Sequence, residues 1–298
     1  MVSHRGALFS AHLAAILFGL TGIFGALIHA DAAVITWGRA AFAVAALAAF
    51  ALVQRRPLLR GLNARQGGVL LATGLLLAAH WVTFFIAVKV GGVAVATLGF
   101  ASFPAFIALL DILVFRERIG TAEALLLTLV TFGLVLVTPS FDLGDRGTAG
   151  LLWGVASGLS FALLAMANRR GTRGVDAIQV AFWQNLVVSI VMAPFALGRL
   201  HTLDHASWIY LALLGVFCTG LAQTLFVRSL AGLSARSAGM IIALEPVYAI
   251  ACAWWLFGQQ PSKRMLAGAA LIMLAIVLAA RGKAPPPDPV PPEPLKTA

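Results

Sequence analysis

The sequence contains few charged residues and almost no cysteine. Asp, Glu, Lys and Arg make up 11% of its 298 residues, whereas hydrophobic residues make up 61% and the mean hydropathy is +0.96. A soluble domain is about a quarter charged and about half apolar. This composition therefore excludes an ordinary soluble fold and indicates a protein embedded in the lipid bilayer. Cys218 and Cys252 both fall inside apolar runs, so no disulfide framework is implied.

The sequence also lacks the motifs of enzymes and of ATP-driven pumps. No H-E-x-x-H, H-x-x-E-H, G-x-S-x-G or Walker A pattern occurs, and His80 is the only histidine in the middle of an apolar run. We therefore expect no enzyme, no cofactor and no metal site. The formal net charge is +10, but the basic residues form short clusters between apolar runs, without the basic face that nucleic-acid binding requires.

Apolar runs long enough to cross a bilayer dominate the chain. A hydrocarbon core about 30 Å thick takes about 20 helical residues per crossing. Charges, Gly and Pro bound ten candidate spans, at 7–28, 32–53, 67–88, 92–115, 120–138, 149–168, 176–197, 206–228, 234–257 and 263–281. The first run could pass for a signal peptide, but it is long and has a counterpart later in the chain. The proline-rich tail 283–298 is expected to be disordered.

Lys and Arg are distributed unequally between alternate loops. With the N-terminus inside, fifteen of the 21 lie on the inner side and five on the outer side, while Arg39 lies within a span. Positive residues accumulate in cytoplasmic loops, so the bias predicts an even number of spans with N- and C-termini in the cytoplasm.

The two halves of the chain resemble each other. The segment ASFPAFIALLDILVFRERI from Ala101 aligns without gaps with ALEPVYAIACAWWLFGQQP from Ala243, which places Pro104 on Pro246. Two shorter matches are LFGLTG at Leu17 with LWGVAS at Leu152, and TWGR at Thr36 with FWQN at Phe182. Five spans in each half would give the halves opposite orientations, as in secondary transporters built from inverted repeats.

These segments also resemble a known family. LEPVYAIACAWWLFGQ is similar to the ninth-helix signature of the drug/metabolite transporter superfamily, EamA type, and FPAFIALLDILVFRERI is similar to its fourth-helix counterpart. The resemblance covers residues 7–281 and within the family looks closest to the YddG-type bacterial exporters of aromatic and other amino acids. One departure is Gly258-Gln259, where the family commonly has Gly-Glu.

The resemblance implies an all-α integral membrane protein of a bacterial-type inner membrane. Ten transmembrane helices would form two inverted five-helix repeats, residues 1–142 and 143–282, and the tail 283–298 would lie in the cytoplasm. The resemblance also implies a central cavity lined by spans 1–4 and 6–9, with spans 5 and 10 outside, and a bend in spans 4 and 9.

Proline gives those bends a physical cause. Pro104 and Pro246 each remove a backbone donor from an apolar helix, and Gly99 and Gly239 weaken the same turns. Helices interrupted at matching positions of two halves indicate a binding site and its hinge. We therefore predict hinges at these four residues, with static kinks as the alternative.

Polar and aromatic residues within the spans are the candidates for a substrate cavity, because intramembrane polar groups usually face a cavity or a partner. They are His80, Trp81, Phe84, Phe100, Ser157, Gln184, Asn185, Gln223, Glu245, Tyr248, Trp37 and Arg39. His80 shares a helical face with Thr83 and could instead bond to a neighbouring helix, and the amides could serve packing. Arg39 either snorkels outward or captures a substrate carboxylate.

Glu245 raises the sharpest question, because an unpaired carboxylate in the middle of a span is costly. It is therefore either protonated or partnered. In one interpretation a neutral Glu245 donates a hydrogen bond near the backbone opened by Pro246. In the other, it exchanges a proton as substrate binds or recognises the ammonium group of the substrate.

These features favour a secondary exporter of apolar, aromatic and other small neutral amino acids that works by alternating access. We expect it to act as a monomer in the lipid bilayer. The alternative is export or antiport of other small metabolites, such as phosphorylated sugars or amphipathic drugs. Phosphate would require several basic residues in the cavity. Arg39 is the only Lys or Arg that lies inside a predicted span and away from its ends, and Lys89 lies at the outer edge of one, so the sequence does not meet this requirement.

Overall fold

The protein is entirely helical over the residues that the computed structural model describes. Those residues are 3–59, 61–115, 120–140, 142, 144–172, 174–229, 232–233, 238, 241–242 and 244–281. The proposed hinge residue Gly239 and the tail 283–298 lie outside them. Seven described helices are long and apolar enough to cross a membrane, by length and composition. The predicted count of ten spans stays a prediction.

Twelve helices are described along the chain. They are α1 His4–Leu27, α2 Ala32–Val53, α3 Ala64–Gly91, α4 Val93–Phe100, α5 Phe103–Phe115, α6 Thr121–Val137, α7 Arg146–Gly171, α8 Ala177–Ala196, α9 His205–Gly215, α10 Ala222–Ser229, α11 Glu245–Phe257 and α12 Lys263–Arg281. A 3-10 helix, Leu197–Thr202, extends α8, and a π-helical segment, Val216–Leu221, joins α9 to α10.

Short polar side chains begin most of the long helices. Asp31 accepts from the backbone of Ala33 and Val34 at the start of α2, and Asp176 accepts from Ile178 at the start of α8. The N-terminal N–H groups of a helix have no intrahelical partner, and such caps satisfy them. Asn63, Asp145 and Asp204 cap α3, α7 and α9 in the same way. The caps fix where each apolar run enters the bundle.

The third predicted span, 67–88, is shorter than the helix that forms there. Helix α3 has 28 residues, so it is about 42 Å long and exceeds a hydrocarbon core of about 30 Å. Such a helix fits a bilayer by tilting. It ends where Gly92 adopts φ +83, a conformation that glycine takes without a Cβ penalty, and α4 begins at the next residue.

The fourth span is interrupted where the sequence predicted a bend. Residues 101–102 form a turn between α4 and α5, and Pro104 is the second residue of α5. Pro246 is likewise the second residue of α11. Proline is tolerated there because the first N–H groups of a helix have no intrahelical acceptor. The predicted break in the fourth span is confirmed, while its role as a hinge stays a prediction.

Equivalent backbone hydrogen bonds surround both prolines. Ser102 N donates to Gly99 O at 3.2 Å, and Ala105 N donates to Ser102 O at 3.0 Å. Leu244 N donates to Ile241 O at 3.0 Å, and Val247 N donates to Leu244 O at 2.9 Å. Every one of these bonds joins an N–H group to the carbonyl oxygen three residues back. Both segments therefore tighten into a 3-10-like turn at equivalent positions before the new helix begins.

The helices pack in a pattern that mixes the two halves of the chain. Helix α7 packs on α3 and α4, whereas α1 packs on α10 and α11. Helix α2 packs on α8, and α6 packs on α12. Helix α8 also contacts α3, and α2 contacts α9. The core around Phe85, Val93 and Leu211 therefore contains residues from both halves.

Glycines on α7 allow the closest of these approaches. Gly150, Gly154 and Gly158 recur every four residues and lie on one face of the helix. A Cβ atom on Gly154 would lie 2.8 Å from the carbonyl oxygen of Ala96, and one on Gly150 would lie 2.4 Å from the Cα atom of Gly91. Small residues at this spacing let membrane helices approach backbone to backbone. They hold α4 and its break against α7.

Candidate substrate cavity

A cavity of about 550 Å³ lies between the two halves of the chain. Its volume falls within the range of small-molecule binding sites. Its polar lining consists of Thr21, Arg39, His80, Asn168, Gln184, Asn185, Thr219, Gln223 and Glu245. Its aromatic lining consists of Phe18, Trp81, Phe84, Phe100, Phe103, Phe161 and Phe226. Apolar walls with a few polar groups are typical of sites for amphipathic ligands.

Arg39 is buried in the cavity wall and has two kinds of contact. Its Nε atom donates a hydrogen bond of 2.7 Å to the hydroxyl of Thr219, and its guanidinium carbon lies 3.9 Å from the centre of the Trp81 ring. Within the described part of the chain, no carboxylate lies within 4 Å of this guanidinium. An arginine has five N–H donors, so most of them stay available for an anion.

Thr219 reaches Arg39 because the helix is widened at that point. Thr219 lies in the π-helical segment, where its hydroxyl donates to the carbonyl oxygen of Leu214, five residues back, at 3.1 Å. The hydroxyl oxygen can then accept from Arg39. Gly215 brings the same turn close, since a Cβ atom there would lie 2.6 Å from the carbonyl oxygen of Arg39. Single π turns of this kind often occur at functional sites.

Glu245 begins α11 and faces the same cavity. Its carboxylate has no hydrogen-bond partner among the described residues, but it is close enough to Arg39 for electrostatic attraction. The N-terminus of a helix favours a negative charge, which adds a second source of stabilisation. Gly19 of α1 lies against its backbone, because a Cβ atom on Gly19 would be 3.0 Å from the carbonyl oxygen of Glu245.

His80 lies within a group of aromatic rings. Its ring centre is 5.0 Å from that of Phe100 and 5.1 Å from that of Phe161. The rings of Phe103 and Phe161 meet edge to face at 5.1 Å, and those of Phe100 and Phe103 stack at 5.3 Å. Such offset and edge-on pairs stabilise each other beyond simple burial. These rings form an apolar wall beside the break between α4 and α5.

The amide side chains both line the cavity and bond between helices. Gln184 Nε2 donates to Thr73 Oγ1 at 2.8 Å and to Asn168 Oδ1 at 2.7 Å, which links α8 to α3 and α7. Asn185 Nδ2 donates to the carbonyl oxygen of Ala181 at 2.8 Å, but its Oδ1 is buried with no partner among the described residues. An unpaired buried acceptor is costly, and a donor on a bound ligand would remove that cost.

Most of the residues that the sequence singled out do meet at this cavity. The lining includes Arg39, His80, Trp81, Phe84, Phe100, Gln184, Asn185, Gln223, Glu245 and Pro246. Ser157 lies behind His80, and Trp37 packs into the neighbouring core. Tyr248 lies one turn beyond Glu245, with its hydroxyl 3.4 Å from His12 Nδ1. None of these three lines the described cavity.

Two details differ from the expectation drawn from the sequence. Thr83, which shares a predicted face with His80, does not line the described cavity, and its hydroxyl donates to the carbonyl oxygen of Ala79 in its own helix at 2.7 Å. Ile276 of the tenth span does contribute to the lining, although spans 5 and 10 were expected to stand outside. The hinge candidates Gly99 and Pro104 lie in the fourth span beside its break.

Some cavity residues were missed in the sequence. Asn168 and Thr219 are the chemically important ones, together with Thr21, Phe18, Phe103 and Phe226. Asn168 stands next to the basic pair at 169–170, which is typical of a helix end rather than of a cavity. Threonine in an apolar helix usually bonds to its own backbone, so Thr219 gives no sequence signal.

An all-helical bundle with membrane-crossing helices around a cavity of mixed polarity is the architecture of a membrane transporter. Comparison with known proteins agrees, since the EamA-like transporter family model matches residues 5–138 and again residues 148–281. The chain belongs to the EamA-like transporter family.

Its relatives include both transporters of unknown substrate and a named exporter. A protein of Archaeoglobus fulgidus described as an uncharacterized transporter is 25% identical over 272 residues, which cover 90% of this chain and 94% of that protein. The uncharacterized transporter YxxF of Bacillus subtilis is 24% identical over 212 residues, 70% of this chain and 68% of that protein. The pseudopaline exporter CntI of Pseudomonas aeruginosa is 26% identical over 224 residues, 74% of this chain and 77% of that protein.

One solved crystal structure has the same overall fold. It superposes with a TM-score of 0.64, covering 92% of this chain and 96% of that chain, at 20% sequence identity. The agreement in fold extends over nearly the whole of both chains.

Proposed function

We propose that this protein is a secondary exporter of neutral amino acids, mainly those with apolar or aromatic side chains, in a bacterial-type inner membrane. One observation carries the proposal. Arg39 and Glu245 line the same cavity, yet they form no ion pair within 4 Å among the described residues, and an aromatic wall lies beside them. A cation and an anion held apart over an apolar surface match an amino acid.

The head group of an amino acid satisfies both charges at once. Its carboxylate can accept from the free N–H groups of Arg39, and its ammonium can donate to the carboxylate of Glu245. Buried charges are tolerated when each is paired, so a zwitterion fits this site better than a ligand with a single charge. The exporter CntI is a relative of the chain, which supports export as the direction of transport.

Two inverted five-helix repeats, residues 1–142 and 143–282, are part of the proposal. The family model matches each half once, which supports two homologous units. Gly19 of LFGLTG contacts the ninth predicted span and Gly154 of LWGVAS contacts the fourth, as equivalent residues of two repeats would. The turn bonds before Pro104 and before Pro246 also correspond one to one.

The helix packing has the symmetry that such repeats require. Exchanging each helix with its counterpart turns the contact of α1 with α10 into that of α7 with α3. It turns the contact of α1 with α11 into that of α7 with α5, and it maps the pairs α2–α8 and α6–α12 onto themselves. Ten spans with a two-fold axis in the membrane plane account for this pattern.

Access to the cavity follows from how far its lining extends. Asn168 and Phe226 lie three residues from the C-terminal ends of α7 and α10, so the lining nearly reaches that end of the bundle. Toward the other end, the described lining stops at Thr21, Arg39 and Phe84, six or seven residues short of the helix ends. The open end is the one where Lys and Arg accumulate, which supports loading from the cytoplasm.

Alternating access requires the opposite end to open and this one to close. The interrupted helices at Pro104 and Pro246 meet the cavity and are the proposed hinges, because a broken turn bends at little cost. Gly99 belongs to the same region, and Gly239 lies outside the described residues. Both proposed repeats are fused in one chain, which supports a monomer as the working unit.

A second candidate function is transport of phosphorylated sugars. A phosphate group would need several cationic side chains. Arg39 is the single Lys or Arg among the described lining residues, and Lys89 is engaged with the carbonyl oxygen of Ile28 at 2.5 Å. The alternative of amphipathic drugs leaves the pair Arg39 and Glu245 without a partner. Both alternatives therefore rank below amino acids.

Flux measurements in liposomes test the proposal. Purified full-length protein is reconstituted, and efflux of labelled tryptophan, phenylalanine and glucose 6-phosphate is followed with and without a pH gradient. We expect both amino acids to leave faster than from protein-free liposomes and the sugar phosphate to stay. Flux of the sugar phosphate without flux of any amino acid would contradict the proposal.

A further inference from the structure

His80 and Ser157 are joined by reciprocal hydrogen-bonding contacts, three in all, between α3 and α7. His80 Nδ1 lies 2.7 Å from the hydroxyl oxygen of Ser157 and 3.3 Å from its carbonyl oxygen. The hydroxyl of Ser157 in turn lies 3.0 Å from the backbone carbonyl oxygen of His80. Ser157 is fully buried, and His80 is 8% exposed at the cavity wall. The Ser157 side of the pair is therefore enclosed by protein, whereas the His80 ring borders the cavity.

These contacts determine which ring nitrogen carries the hydrogen. A carbonyl oxygen can only accept, so the single hydroxyl hydrogen of Ser157 points to the carbonyl oxygen of His80. The hydroxyl oxygen must then accept from Nδ1, and the Ser157 carbonyl requires the same. The tautomer that satisfies all three contacts together has its hydrogen on Nδ1 and the lone pair on Nε2. No described carboxylate contacts the ring to stabilise an imidazolium.

Nε2 is consequently a hydrogen-bond acceptor set in an apolar surface. The neighbouring rings of Phe84, Phe100 and Phe161 offer no donor, and Nε2 has no partner among the described residues. In the proposed function, Arg39 and Glu245 hold the head group of the substrate. The aromatic wall around His80 is where the side chain of that substrate would lie.

We propose that Nε2 of His80 accepts a hydrogen bond from the side chain of the substrate, so that the cavity selects aromatic amino acids bearing an N–H or O–H donor. Indole and phenol side chains satisfy this acceptor, whereas isosteres without the donor leave it unpaired. Ser157 is the positioning residue, because it keeps the hydrogen on Nδ1. This inference rests on the proposed function and adds the class of side chain.

The selectivity follows from the cost of an unpaired polar group. A ligand that covers Nε2 without donating removes it from water and returns nothing. A ligand with the donor should therefore be preferred about five- to tenfold over an isostere without it.

Competition between matched ligands tests the inference. Tryptophan is compared with 1-methyltryptophan, which lacks the indole N–H, as inhibitors of labelled tryptophan efflux from liposomes. We expect the wild-type protein to favour tryptophan about five- to tenfold. Ser157→Ala should lower this ratio to about twofold or less, because Nδ1 loses its shorter contact, the hydroxyl at 2.7 Å, and keeps only the backbone carbonyl at 3.3 Å, so the ring is held less firmly. His80→Phe, measured in parallel, should abolish the ratio because no acceptor remains.

Ser160→Ala is the matched control on the same helix. Its hydroxyl donates to the carbonyl oxygen of Ala156 at 2.9 Å within α7, so the variant should keep the wild-type ratio. Thermal unfolding of each purified variant separates misfolding from altered selectivity. Equal preference for both ligands in the wild type, or an unchanged ratio in Ser157→Ala and His80→Phe, would overturn the inference. Absence of any amino-acid flux would instead contradict the proposed function itself.

Discussion

Arg39 combines a hydrogen bond to Thr219 with a cation–π contact to Trp81, and both fix the plane of its guanidinium. An arginine fork recognises a carboxylate only when it is held in one orientation. The sequence pointed to Arg39 because a charge stands out in an apolar run, and it pointed to His80 and Glu245 for the same reason. Thr219 could not be found that way, since only the π-helical segment brings it to Arg39.

Thr219→Val should weaken binding without removing any charge. The variant keeps the shape of the side chain but cannot accept from Arg39 Nε, and a hydrogen bond to a charged group contributes about 1.5–3 kcal/mol. We expect the Kd for tryptophan to rise about tenfold, measured by calorimetry on purified protein. Thr224→Val is the matched control, because the Thr224 hydroxyl bonds to the carbonyl oxygen of Gly220 in its own helix. An equal effect of the two substitutions would contradict this role.

Among the features of individual helices, the sequence predicted the interruptions best. Proline at matching positions indicated interruptions. The turn at 101–102 lies directly before α5, in which Pro104 is the second residue. The extent of α3 was underestimated, because its first turn at Ala64 contains charged and polar residues that a hydropathy criterion rejects. The capping pair Asn63 and Gln66 extends the helix there.

Gly154→Ala should destabilise the contact between α7 and α4. The added Cβ would lie 2.8 Å from the carbonyl oxygen of Ala96 and 3.1 Å from the Cα atom of Gly99, and backbone atoms cannot rotate away. Overpacking of this kind costs about 1–3 kcal/mol. The free energy of unfolding in detergent provides the measurement.

Gly67→Ala is the control for that substitution. Nothing lies within 4 Å of a Cβ built on Gly67, so the change should be neutral or stabilise α3 by up to about 1 kcal/mol. Equal destabilisation by the two changes would indicate a general intolerance of glycine replacement. The close approach of α7 to α4 would then have no special weight.

The loops of the chain predict its orientation in the membrane. They do not predict which helices pack against each other. A bias of Lys and Arg gives the side of each loop, but it carries no information on which helices touch. Contacts such as those of Gly19 with α11 depend on side-chain shape at the interface. The internal resemblance of the two halves supplied the remaining clue, since equivalent helices must make equivalent contacts.

Thiol labelling of intact cells tests the orientation. In a background where Cys218 and Cys252 are replaced by alanine, cysteine is introduced at Ala64, the first residue of α3, or at Gly198, after α8. An impermeant maleimide should label Gly198→Cys in intact cells, and it should label Ala64→Cys only after the membrane is permeabilised. The reverse pattern would mean that the N-terminus faces outward and that the cavity opens to the exterior.

The central claim is that Arg39 and Glu245 divide the head group of one amino acid between them. Its most direct test is calorimetric binding of tryptophan, tryptamine and indole-3-propanoate to the wild type, Arg39→Gln and Glu245→Gln. We expect the wild type to prefer tryptophan at least tenfold over both analogues. Arg39→Gln should lose the preference over tryptamine alone, and Glu245→Gln the preference over indole-3-propanoate alone. Wild-type preferences retained by both variants would contradict the claim.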